Sequence, residues 1–150
     1  MHTLSSPREL ASLTGADLGT SPWRTISQEH VDTFADLTDD HQWIHVDVER
    51  AADGPFGGTV AHGMLTLAYV PVLVGEVLRV EGSPFGLNYG FDKVRFTSPV
   101  RAGSRVRGAV RVDSVTDLDG WVRAGFEVTV EVEGSDRPAL VAVNLVQWSL

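Results

Sequence analysis

Two hydrophobic periods divide the chain, a helical one before about position 78 and an alternating one after it. Ser6-Pro7-Arg8-Glu9 has the form of a capping box with proline at the first helical position, predicting a short surface helix that Gly15 and Gly19 end. Ser27 can cap a second helix in which Val31, Phe34, Ala35 and Leu37 share one face, and Thr38-Asp39-Asp40 ends it. Asp47 can cap a further turn through Ala52, whereas Asp53-Gly54-Pro55-Phe56-Gly57-Gly58 has to be loop because glycine and proline crowd it. From His62 to about Leu78 the residues are apolar on every side, interrupted by Thr66, Tyr69 and Glu76, which predicts a helix buried all round and bent or steered at Pro71.

Beyond that helix the period becomes two. Leu87, Tyr89 and Phe91 alternate, but Val94 and Phe96 resume in the opposite phase, so a bulge is expected near Asp92-Lys93. Val106, Val110 and Val112 alternate with Arg105, Arg107 and Arg111. After the turn signal Asp119-Gly120, Phe126, Val128, Val130 and Val132 alternate with Glu127, Thr129, Glu131 and Glu133. Leu140 to Trp148 is apolar on both faces, which suits a central strand or one covered by a second subunit. One long buried helix followed by long antiparallel strands predicts an α+β layered fold in which the sheet wraps the helix. Such a sheet leaves an edge open, and pairing with a twin closes it, so a homodimer is expected.

At 150 residues the chain has room for one core. The expected organisation is an N-terminal segment, 1–22, carrying the short helix, and a single domain over 23–150. The net charge of -8 repels nucleic acid phosphates and anionic membrane surfaces, so neither is an expected partner. Without cysteine, any chemistry has to come from histidine, carboxylates and backbone groups. No basic stretch precedes an apolar one at the N-terminus, and the apolar run Met64 to Val74 is far short of the roughly 20 residues a membrane span needs. A cytoplasmic location is expected.

Asp40 and His45, five residues apart in Asp39-Asp40-His41-Gln42-Trp43-Ile44-His45, carry the chemistry. A carboxylate and an imidazole on one short segment can grip one water, one taking its proton while the other orients it. The bland alternatives are a turn residue that caps backbone groups and a satisfied, half-buried histidine. Ala61-His62-Gly63-Met64 opens the apolar helix, so His62 and the Gly63 N–H can face the same place and bind an anion, although glycine there can equally relieve crowding. The four-residue spacing of His41 and His45 also permits zinc with Asp40 or His62, but no glutamate follows His41, and no metal is expected. Six of the twelve basic residues, Lys93, Arg95, Arg101, Arg105, Arg107 and Arg111, suit a solvated strand face or a landing patch for the phosphates of a ligand.

Phe34 to His45 followed by Ala51 resembles the signature of the MaoC-like dehydratases, the (R)-specific enoyl-CoA hydratases of hotdog fold. Asp-His-Gln-Trp-Ile-His, Phe56-Gly57-Gly58, Ala61-His62-Gly63-Met64-Leu65 and Asn88-Tyr89-Gly90-Phe91 are similar to the branch containing nodulation protein N. The resemblance implies that Asp40 and His45 hold the water, that the Gly63 N–H receives the thioester oxygen, and that Asn88 and Tyr89 line the acyl pocket, where an aromatic on a strand is otherwise core. It implies an acyl-CoA thioester substrate, coenzyme A being part of that substrate, and no separate cofactor. Asp39 stands where glycine is commoner, which aspartate's access to left-handed backbone permits. Gln42 replaces asparagine, and Trp43, in place of proline, is expected to reshape the acyl tunnel. A hotdog thioesterase and a non-catalytic acyl-CoA-binding module are the alternatives to hydration of an enoyl thioester.

Overall fold

A computed structural model describes all 150 residues. Five strands make the body of an antiparallel sheet in the order β2-β6-β7-β8-β5: β2 is Asp17–Thr20, β5 Gly86–Phe96, β6 Arg105–Leu118, β7 Trp121–Val132 and β8 Leu140–Ser149. A short β3, Arg24–Thr25, also pairs with β6. Two further strands, β1 (His2–Leu4) and β4 (Leu78–Val80), pair with each other in parallel. Of the helices, α1 spans Gln28–Thr38, α2 Trp43–Val46, α3 Val48–Ala52 and α4 Gly63–Gly75.

The alternating valines supply the reason for the layering. Val106, Val110 and Val112 of β6, Phe126, Val128 and Val130 of β7, and Leu140 and Ala142 of β8 are buried in one cluster with Leu65, Leu67, Val70, Leu73 and Val74 of α4. Gly108 shares that inner face, where an added Cβ would lie 3.0 Å from the Leu73 Cβ, so its lack of a side chain lets α4 approach the sheet. On the outer face the alternating charges pair across strands, Arg105 with Glu133 at 2.8 Å and Arg107 with Glu131 at 2.7 Å. Arg107 also lies over the Trp23 ring. These arginines are spent within the sheet.

Ser27 and Asp47 cap α1 and α3 as expected, each accepting a backbone N–H. The Asp119-Gly120 turn forms, with Gly120 at φ 72°. The bulge falls between Asp92 and Arg95, with Lys93 at φ 55°. A second slip, between Asn88 and Gly90, breaks the apparent alternation of Leu87, Tyr89 and Phe91. Strand β8 proves central, between β7 and β5.

Two expectations need correction. The Pro7–Leu13 helix is a 3-10 helix, and its Leu10 is fully buried in the main core rather than resting on the surface. Helix α4 is not covered all round: Met64 is 58% and Val72 44% exposed. A helix lying on one sheet can bury only the side that faces it, so the remaining apolar stripe stays open in a single chain. Since Phe126 is wholly enclosed in the main core, Phe126→Ala should cost about 3–5 kcal/mol. Urea unfolding followed by circular dichroism measures that loss.

Candidate active site

Helix α1 ends at Asp39, which adopts the left-handed conformation (φ 57°) and turns the chain so that Asp40 enters an irregular segment. Three residues on, α2 completes one turn, and His45 falls within it. The His45 ring is buried, and its Nδ1 lies 2.6 Å from the Val60 carbonyl. A carbonyl can only accept, so Nδ1 carries the hydrogen; in the neutral ring this leaves a lone pair on Nε2. Val60 answers in the other direction, its N–H donating to the Ile44 carbonyl at 2.9 Å.

His62, immediately before α4, lies with its ring stacked on that of His45 at 3.8 Å between centroids and 25° between planes. Phe34 covers His62 at 5.0 Å. The His62 Nε2–H donates to the backbone carbonyl of Asp40 at 2.9 Å, so this ring ties the start of α4 to the turn after α1. Its Nδ1 is buried without a partner.

Asp40, His45, His62 and Gly63 therefore come together, and with Phe34, Thr38 and Met64 they line a cleft of about 380 Å³. Asp40 is exposed at its mouth while His45 is buried in its wall. Gly63 is the first residue of α4, so its N–H has no intrahelical acceptor and remains available. An added Cβ at Gly63 would lie 3.1 Å from the Phe96 ring, so glycine holds α4 close to the end of β5.

Asn88 lies farther along, bordering a groove shared by Met64, Leu67, Ala68, Pro71 and Phe91. Tyr89 sits at the strand slip with its ring 3.7 Å from the Arg123 guanidinium. Arg123 alternates with the core residues Val122 and Ala124, which puts Tyr89 on the outer face, away from the cleft. Trp43 packs against Gly54 and beneath Arg50, clear of the cleft it was expected to reshape. The basic residues do not converge either: Arg101 donates to the Gly57 carbonyl and Arg111 to that of Gly15.

Asp40, His45 and His62 offer ligand atoms within 4.8 Å of one another. Two stacked imidazoles keep their in-plane lone pairs in near-parallel planes, which prevents convergence on one ion; four ligands around zinc would have to sit roughly 3.4 Å apart. A water suits the spacing better. His41 stands outside the group, with Nε2 2.8 Å from Asp36. That hydrogen bond, helped by the charges of Asp36, Asp39 and Asp40, raises its pKa above the ordinary 6.5.

Sequence patterns did not single out Phe34 beyond its helical face, nor the Val60 carbonyl that orients His45. A backbone acceptor leaves no mark in residue identity, and Phe34 has the spacing of any core residue.

The MaoC like domain family matches residues 9–134. The chain is 52% identical over 149 residues to 3-hydroxyacyl-thioester dehydratase Z of Mycobacterium tuberculosis, covering 99% of both chains. It is 48% identical to nodulation protein N of Rhizobium meliloti, over 95% of this chain and 89% of that one. With the (R)-specific enoyl-CoA hydratase of Rhodospirillum rubrum it shares 31% over 74% of this chain and 73% of that one. Among solved structures, the R-hydratase PhaJ1 of Pseudomonas aeruginosa superposes with a TM-score of 0.68 at 22% identity, over 91% of this chain and 85% of that one.

Protonated His41 gains a partner on folding, so its stabilisation is full below pH 6.5 and fades as pH rises through the raised folded value. An NMR titration should place His41 above 6.5 in the parent and return it toward 6.5 in Asp36→Asn.

Proposed function

The chain belongs to the MaoC-like dehydratase family, and on that premise we propose that it adds water across the C2=C3 bond of an enoyl thioester with (R) stereochemistry, or removes it from the 3-hydroxyacyl form. One observation carries the assignment of roles. A buried imidazole with a fixed tautomer, an exposed carboxylate and an unused helix-start N–H share one cleft. Water placed between Asp40 and His45 can give one hydrogen to the carboxylate and direct the other at His45 Nε2. As the water oxygen bonds to C3, the π electron pair moves toward C2 and the thioester oxygen, which the Gly63 N–H receives. A proton returned from the Asp40–His45 pair to C2 completes the addition. Atoms balance with water alone, so coenzyme A enters as part of the substrate and no separate cofactor is proposed.

His62 serves as a tie rather than a substrate ligand, because its Nε2–H is already committed to the Asp40 carbonyl. Asn88 lies along the groove that continues beside α4, a suitable path for the acyl chain. We read the groove as incomplete in one chain: Met64 of α4 borders it beside the edge strand β5 and is exposed, as are Val72 of α4 and Leu87 and Phe96 of β5. A second copy pairing along that edge would cover them, so the working form is proposed to be a homodimer. No helix is long and apolar enough to cross a membrane. The cytoplasm, where coenzyme A thioesters are turned over, is the proposed location.

Asp40→Asn should abolish most crotonyl-CoA hydration with the fold intact, and His45→Gln should do much the same. Both act on one water, so the double variant should lose little more than either alone. Parental turnover by either single variant would remove these roles, and thiol release from saturated acyl-CoA would point to a thioesterase instead. Sedimentation at micromolar concentration should show a dimer. An active monomer would refute the shared groove.

A further inference from the structure

Gln28 opens α1, directly after the Ser27 cap, and its side chain is partly buried. One Nε2 hydrogen goes to Asp32 Oδ1 at 2.7 Å, within the helix, and the other to the backbone carbonyl of His45 at 2.8 Å. On the other side, Gln28 Oε1 accepts from the Thr59 hydroxyl. The amide orientation is unambiguous, because the reversed one would aim an oxygen at a carbonyl and a carboxylate.

These contacts join the two pieces of chain that define where the His45 ring points. One is the His45 main chain itself, in a helix of only four residues whose Ile44 and His45 carbonyls accept from outside that helix. The other is Thr59, whose neighbour Val60 takes the His45 Nδ1–H and donates its own N–H to Ile44. If the two pieces shift relative to each other, the imidazole turns and the Nε2 lone pair leaves the water.

We propose that Gln28 is a positioning residue for the reaction, setting the orientation of His45 by tying its main chain to the Thr59–Val60 segment on which its ring rests. This rests on the hydratase function proposed above. Misplacing a reacting group by about 1 Å costs on the order of 100-fold in rate. Gln28→Ala should therefore lower kcat roughly 10- to 100-fold, within the misplacement range, while KM stays near the parent value because Gln28 does not line the Asp40–His45 cleft. Gln28→Glu should be at least as damaging. It keeps an acceptor for Thr59 but turns a second oxygen toward the His45 carbonyl and Asp32, whereas a residue needed only for packing would tolerate the near-isosteric change. Thr59→Ser keeps the hydroxyl and should keep activity; Thr59→Val, of similar shape without it, should lose kcat in the direction of Gln28→Ala.

The test pairs crotonyl-CoA kinetics with proton–nitrogen NMR of the His45 Nδ1–H in the intact enzyme, on variants with parental circular dichroism. The expected result is loss or a large shift of the Nδ1–H resonance in Gln28→Ala and Gln28→Glu, together with the fall in kcat and steady KM. Parental kcat in Gln28→Glu would overturn the proposal, and so would a loss of kcat with the resonance unmoved. Should the parent fail to hydrate any enoyl thioester, the hydratase function falls by itself. The NMR comparison then decides the tether alone, an unmoved resonance overturning it.

Discussion

Burial of α4 against the sheet is the constraint on which the rest of the molecule depends. Leu65, Leu67, Val70, Leu73 and Val74 share one cluster with the inner valines of β6 and β7, and Gly108 permits the close approach. Once the helix is seated, its N-terminus has little choice of place. Gly63 lies against Phe96 at the end of β5, and the residues before it, Thr59 to His62, are buried one after another. The segment carrying Asp40 and His45 then closes over this fixed base through His62 and Val60. The helix-start N–H, the carboxylate and the imidazole of the cleft are thus carried by a helix seated in the main apolar core.

The two histidines show how backbone acceptors divide labour between identical side chains. Each donates one ring hydrogen to a carbonyl, but His45 donates from Nδ1 and His62 from Nε2. His45 is left with a free Nε2, the atom to which the proposed mechanism assigns the water, while His62 has a buried Nδ1 that meets no partner. An unpaired buried acceptor costs roughly 1–3 kcal/mol. Stacking on His45 and cover by Phe34 offset part of that cost and keep both rings in place. Rigidity of the pair, more than either ring alone, makes the cleft a prepared one.

A single chain leaves its apolar surface unevenly covered. On the outer face of β6 and β7, Arg105 and Arg107 are paired with Glu133 and Glu131. The edge β5 and the open side of α4 carry exposed Leu87, Phe96, Met64 and Val72 instead. Charge pairing on one part of the surface and apolar exposure on another are the contrast on which the proposed dimer rests.

Much of this was legible in the order of residues. Alternation from Val106 to Val132, the Asp119-Gly120 turn, the Ser27 and Asp47 caps and the phase change near Lys93 are local patterns, and local patterns bias a segment toward strand, turn or cap whatever it later packs against. The nearness of Asp40 to His45 follows from a spacing of five, and their pairing with His62 and Gly63 was visible through wording similar to a known family. Other features were decided only by packing. The open stripe of α4 depends on how many layers lie against it, which uniform apolarity does not encode. Tyr89 left the cleft because a backbone slip changed the parity of β5, and Trp43 found Gly54 and Arg50 in place of the acyl path. Gln28 and the Val60 carbonyl act across 17 and 15 positions of chain. A hydrogen bond to a main-chain carbonyl asks nothing particular of the residue that supplies it, so that partnership exists only once the chain has folded.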